Sequence, residues 1–179
     1  MSQNALKKLK TKFKAAVVDS HERLGNETAI VSREKLLEVC QWLFSDEKMA
    51  FDMLSDVTAV DYQNRQPRYE VVYHLYSTTQ KHRLRLRVPV EEGQESVPSV
   101  AGIWRAANWG EREVFDMFGI RFEGHVDMRR ILLYDEFVGH PLRKDYPVQK
   151  SQPRMDLRSP ERDAVEEFRH FYQDRNRPA

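Results

Sequence analysis

One cysteine, Cys40, in 179 residues leaves no partner for an intrachain disulfide, no CxxC pair and too few thiolates for an iron–sulfur cluster held by this chain alone. Its place in an apolar helical pattern marks it as a small buried hydrophobe rather than a reactive thiol. No run approaches the roughly 18–20 consecutive apolar residues of a membrane-spanning helix. The start, MSQNALKKLKTKF, is basic and amphipathic but lacks the apolar core and cleavage site of a secretory signal. The expectation is an intracellular protein, soluble or peripheral. Charge of one sign is missing too. With 29 basic and 28 acidic residues the net charge is +1, so no global field points to nucleic acid or to an anionic membrane.

Catalytic motifs are equally scarce. There is no GxGxxG turn, no P-loop, and no serine or cysteine nucleophile with an elbow or a local base. The best metal set would be His125 and His140 with Asp127 or Asp135, residues spread along a flexible stretch without a short-spaced pair. Glu111, Glu113 and Asp116 have the composition of acid–base carboxylates, but Arg112 beside them is expected to hold such groups ionised.

What is present is 40% hydrophobic and 32% charged residues, with both signs interleaved, which suits specific ion pairing. Residues 3–14 place Ala5, Leu6, Leu9 and Phe13 at helical spacing among lysines. That lysine face either meets water or forms a basic arm for a partner or an acidic lipid surface. Gly25 and Asn26 read as a turn. Ser32 reads as the N-cap of a helix ending near Asp46, with Leu36, Leu37, Val39, Cys40, Leu43 and Phe44 facing the core. FDMLSDVTAVDY, RYEVVYHLYSTT and HRLRLRVPV then read as three antiparallel strands, with a bulge near Ser55 and Asp56 and turns at 63–67 and 78–81. In the last strand Leu84, Leu86 and Val88 alternate with Arg83, Arg85 and Arg87. The arginine row is either a solvated outer face or an anion or partner site. His74 and His82 carry no second ligand at usable spacing.

A second helix is expected from Pro98–Ser99, with Ser99 as N-cap. Its packing set is Val100, Ile103, Trp104, Ala107, Val114, Phe115 and Phe118, and Gly119 is its stop. Arg112 and Asp116, four apart, are expected to pair along it. Beyond it runs a long segment dense in charge, aromatics, Gly and Pro with little periodicity. Ile131, Leu132, Leu133, Tyr134, Phe137 and Tyr146 are too much apolar surface for a solvated linker. An ordered irregular segment must pair its backbone with side chains or with another chain, and this composition is that of a surface to be covered. SPERDAVEEFRHFYQD resumes helical spacing. The expected fold class is α+β: a small antiparallel sheet flanked by helices with a long irregular C-terminal segment, a domain over 1–150 and an extension with a helix over 151–179.

EREVFDMFGI, FEGH, DMRRILL and GHPLRKDYP, in this order and spacing within residues 97–150, closely resemble the C-subunit of NADH–quinone oxidoreductase, the 30-kilodalton subunit family of respiratory complex I. Val126 stands where that family usually has proline, and Tyr134–Asp135–Glu136–Phe137 is a looser version of its acidic–aromatic turn. The resemblance implies a subunit of a complex's peripheral arm that holds no cofactor, with FMN, iron–sulfur clusters and quinone on other subunits. Its partners would be other arm subunits, chiefly the hydrogenase-like large subunit at the quinone site. The implied location is the cytoplasmic face of a bacterial inner membrane, touching the membrane only through the complex. An equivalent subunit of a membrane-bound hydrogenase or plastid-type dehydrogenase, or a free-standing adaptor of the same fold, are the alternatives. Arg112, Glu113, Asp116, Arg129, Arg130, His140, Arg143, Lys144 and Asp145 are the candidates for interface or fold-locking groups.

Overall fold

A computed structural model describes residues 3–153. Helix α1 (Gln3–Lys12) precedes a hairpin of β1 (Val17–Arg23) and β2 (Asn26–Val31). A single 3-10 turn over Arg33–Lys35 leads into α2 (Leu36–Ser45), followed by β3 (Met53–Asp61), β4 (Tyr69–Ser77) and β5 (His82–Val90). Short β6 (Ser96–Pro98), α3 (Ala107–Phe118) and short β7 (Arg121–Glu123) complete the regular structure among the described residues. The helix read over SPERDAVEEFRHFYQD lies outside them.

The α+β class stands, with a larger sheet than the three-stranded meander. Its order is β1-β2-β5-β4-β3, and β2 runs parallel to β5, which makes the sheet mixed. Strands β3, β4 and β5 pair antiparallel as read, with the register shift falling between Leu54 and Asp56. The first hairpin turns on Leu24 and Gly25, both at positive φ, the backbone a two-residue hairpin loop demands.

One contiguous core fills the space between the sheet's inner face and the helices. Ala5 and Leu9 of α1, Leu36, Val39, Cys40 and Leu43 of α2, and Val114 and Phe118 of α3 meet Val31, Val57, Tyr73, Leu86 and Val88. Helix α3 lies close on β3 because Gly110 has no Cβ: one added there would sit 2.9 Å from Val57 Cβ. Trp104 Nε1 donates to Phe51 O at 2.9 Å, and His82 stacks on Phe51.

Two helix starts differ from expectation. Ser32 makes no side-chain cap, because residues 33–35 form the tighter turn and the α-helix begins at Leu36. The second helix begins at Ala107 rather than at Ser99. Residues 96–98 are instead drawn into a parallel pairing with β7, and the Ser99 hydroxyl is taken by Glu111. Gly119 does close α3, in the left-handed conformation at φ +77°.

Candidate functional site

The last four carbonyls of an α-helix have no partner within it. In α3 all four are met by groups from the chain beyond its last turn. Gly119 N–H donates to Phe115 O at 2.8 Å and Leu142 N–H to Met117 O at 3.1 Å. His140 Nδ1 donates to Asp116 O at 2.9 Å, and Arg143 Nε to Phe118 O at 2.5 Å. Only glycine fits at 119: a Cβ there would lie 2.6 Å from the His140 ring and 2.9 Å from the Arg143 guanidinium. Burial pushes His140 below the ordinary imidazole value, and nearby Arg143 and Arg130 push the same way. A neutral ring with its proton on Nδ1 suits the carbonyl it caps.

Asp116 is fully buried and organises the next turn of the chain. Its Oδ2 accepts from the backbone N–H groups of Ile131, Leu132 and Leu133 at 3.1, 2.8 and 2.9 Å. Its Oδ1 accepts from Arg130 at 2.7 Å. Burial alone would raise this carboxyl, but three N–H donors and a guanidinium outweigh it and hold the group below its usual range. Arg130 also donates to the Phe137 and Gly139 carbonyls. Arg112 does not pair with Asp116 as expected. It lies against Trp109 and donates to the Arg129 and Arg130 carbonyls, because Asp116 points into the protein and its lone pairs are taken.

A second anchor holds the far end of the segment. Asp61, closing β3, accepts two bonds from Arg68 at 2.9 Å each and a third from Lys144 N–H at 2.8 Å. Arg68 reaches Asp145 at 3.1 Å and also pairs with Glu92. The Arg68 and Arg143 guanidinium groups both lie against the Tyr69 ring. Of the nine residues singled out, Asp116, Arg130, Arg112, His140 and Arg143 therefore gather at the end of α3, and Lys144 and Asp145 at the Asp61–Arg68 pair. Arg129 makes an exposed bridge to Asp127, a kind of pair that contributes little. Glu113 is exposed and has no ion pair among the described residues. Sequence reasoning missed Asp61, Arg68 and Glu92. The one available signal was an aspartate ending a strand and an arginine opening the next.

The acid–base and metal readings do not assemble. His125 accepts from Asp127 N–H at Nδ1 and contacts Asn108 O through Nε2, whereas His140 binds Asp116 O. Eight residues of helix put those carbonyls about 12 Å apart. Among the described residues no three His, Cys, Asp or Glu side chains converge on a metal position.

Glu111 is not held ionised by Arg112. It faces inward, accepting from Ser99 Oγ at 2.6 Å and Val100 N–H at 2.7 Å. Burial dominates those bonds and pushes its carboxyl up to about 7. Between about 4.5 and about 7 the folded protein thus keeps a proton that the unfolded chain has lost, and its stability falls as pH rises through that window. Glu111→Gln keeps an acceptor for Val100. It is expected to match the wild type near pH 4 and to exceed it at pH 8 by on the order of 2–3 kcal/mol. Urea unfolding at both pH values measures this, and a difference that does not change with pH would contradict it.

Residues 124–153 contain no helix or strand, yet both ends of this segment are pinned. Phe137 sits edge-on to Tyr134 and stacks on Tyr146, and Tyr134 donates to Pro153 O at 2.7 Å. Outward it presents Val126, Leu132, Val138, Leu142 and Val148, with Trp109 of α3 also exposed. The arrangement holds a shaped, partly apolar surface. Its two imidazoles, His125 and His140, are committed to backbone partners, and Asp127 and Asp145 to arginines.

The family described as respiratory-chain NADH dehydrogenase, 30 Kd subunit, matches residues 29–152. The NADH-quinone oxidoreductase C-subunit of Geobacter sulfurreducens is 48% identical over 152 residues, 83% of this chain and 93% of that one. Its counterpart of the same name in Geotalea uraniireducens is 46% identical over 151 residues, 83% and 91% of the two chains. Among solved structures, a trypsin-resistant fragment of Nqo5 superposes with a TM-score of 0.61 at 32% identity, covering 70% of this chain and 97% of the fragment. A chain of an archaeal membrane-bound sulfane sulfur reductase superposes at 0.69 with 24% identity, over 88% and 96% of the two chains, a likeness of fold alone.

Proposed function

The chain belongs to the family of the respiratory-chain NADH dehydrogenase 30 Kd subunit, and from that membership we propose that it is a non-catalytic assembly subunit in the peripheral arm of a proton-translocating NADH:quinone oxidoreductase. In this reading residues 124–153 dock on the large subunit that helps form the quinone site. Electron transfer from NADH to quinone then runs through FMN and iron–sulfur clusters on other subunits, and this chain contributes by holding them in register. It meets the membrane only through the complex, on the cytoplasmic face. No helix among the described residues is long and apolar enough to cross a membrane.

The observation that carries the reading is a segment without regular structure that is nonetheless rigidly anchored and exposes large apolar side chains. Leu132 is 62% exposed and Val148 fully so. An anchored apolar surface of this kind supports docking to a partner. The double substitution Leu132→Ser and Val148→Ser changes only exposed side chains and keeps the Leu132 N–H that Asp116 accepts, so the isolated protein should keep its stability to within about 0.5 kcal/mol. Assembled complex in the host membrane, read on native gels and as NADH–quinone reductase activity, should fall about tenfold, the effect of losing about 1.4 kcal/mol at an interface. Undiminished assembly would remove the segment from the interface.

A further inference from the structure

The arginine row on β5 divides in two. Arg87 is used internally, donating to Glu70 at 2.6 Å and to the Tyr62 hydroxyl at 3.1 Å. Arg83 and Arg85 have no carboxylate partner among the described residues. Arg83 lies against the Tyr76 ring, and the buried Nε of Arg85 has no acceptor among the described residues. A buried charged donor left unpaired is unfavourable unless something supplies the acceptor.

Both arginines line a cleft of about 620 Å³, where they, His74 and Tyr76 lie on the sheet face opposite the buried Leu84 and Leu86. Strand register explains the cluster. Thr28, Arg85, His74 and Asp56 form one cross-strand row, and Arg83, Tyr76 and Met53 the next. Burial and Arg85 keep His74 below the ordinary imidazole value against the pull of Asp56, so it offers a hydrogen bond rather than a charge. The acidic groups of the cleft are Asp56 on its exposed rim and Glu27 at its β2 end, a carboxyl that burial pushes up to about 7.

We propose that this cleft binds an extended acidic segment of a neighbouring subunit, whose carboxylates at alternate positions pair with Arg83 and Arg85. Spacing selects the occupant. Side chains two apart on a strand recur about every 6.6 Å, the repeat of like-facing side chains in any other extended chain. A chain reading acidic–any–acidic alongside β5 meets both guanidinium groups at once, and its second carboxylate gives the Arg85 Nε its missing acceptor. Tyr76 and Met53, the latter 47% exposed, supply apolar contact at the lip. A lone phosphate would need the two arginines to converge. The proposal rests on the chain working inside a complex, but it concerns a face separate from residues 124–153.

The test places a photo-crosslinking amino acid at Met53 in one version of the assembled complex and at Leu132 in another, with adducts mapped by mass spectrometry. The expected result is a Met53 adduct on a subunit peptide bearing two carboxylates at alternate positions. Arg83→Glu with Arg85→Glu should abolish that adduct and lower assembly about tenfold or more. If the reversed variant fails to fold, the adduct map in the native background still decides. Adducts at Leu132 but none at Met53 would overturn this proposal alone. So would a Met53 adduct on a peptide without acidic residues, or on residues 154–179 of this same chain. Adducts at neither position would overturn the assembly reading together with it.

Discussion

Asp116→Asn should cost about 3–5 kcal/mol of folding stability, the usual loss when one member of a buried charge pair is removed. The shape is nearly unchanged, which makes the chemistry clear. The wild-type carboxylate offers four acceptor positions to four donors: the N–H groups of Ile131, Leu132 and Leu133, and the Arg130 guanidinium. An asparagine replaces one oxygen with an NH₂ group. Either Arg130 or the three N–H groups must then face a donor, and Arg130 becomes a half-buried cation with only carbonyls around it. Urea unfolding of the isolated protein measures the total, and hydrogen exchange at the amides of 131–133 should quicken in step. The pH dependence gives a second reading. Because the folded carboxyl lies below its ordinary value of 3.8, its contribution is complete above that value and is lost as pH falls through the folded one. The variant should lose that part of the acid slope. A cost below about 1 kcal/mol would mean that Asp116 is an ordinary surface-type pair.

Arg68→Met is expected to cost a similar amount, about 3–5 kcal/mol, for a reason that can be separated. Arg68 joins Asp61, Glu92 and Asp145, and its side chain is 7% exposed while that of Asp61 is fully buried. Methionine fills much of the same volume but leaves Asp61 with only the Lys144 N–H. Adding Asp61→Asn should recover a substantial part of the loss, since the stranded charge is then gone. If the double variant is no better than the sum of the singles, desolvation of Asp61 is not the source of the cost.

Much of this arrangement was legible because one physical period dominated locally. The alternation of Leu84, Leu86 and Val88 with three arginines is the pattern of a strand with one buried face, and the structure buries those three apolar residues. Gly119 after an apolar helical run marks the left-handed stop that it provides. Strand β1 was illegible for the opposite reason. As an edge strand it exposes most of VVDSHER and so carries no alternation. The apolar pattern starts helix α3 too early because Val100 and Trp104 are core residues and Ile103 packs against them at helical spacing, although β6 claims the residues before them and turns follow. The Arg112–Asp116 pair follows from helix spacing alone. Which way each side chain turns depends on Arg130, fourteen residues beyond Asp116, and no local pattern contains that. The Asp61–Lys144 bond spans 83 residues and lies beyond any window of periodicity.

That span also orders events in time. A chain emerging from the ribosome can pair β3, β4 and β5 and wind α3 as soon as those residues are out, since their contacts are near in sequence. The carbonyls at the end of α3 must wait. Their partners include His140, Leu142 and Arg143, and Asp61 waits for the amide of Lys144. Contact order thus favours the sheet forming first, with the pinned segment stitched on after residues 140–144 are made. The apolar residues of 124–153 take their outward positions only once that stitch is made, so the proposed docking surface exists only after residues 140–144 have joined the fold.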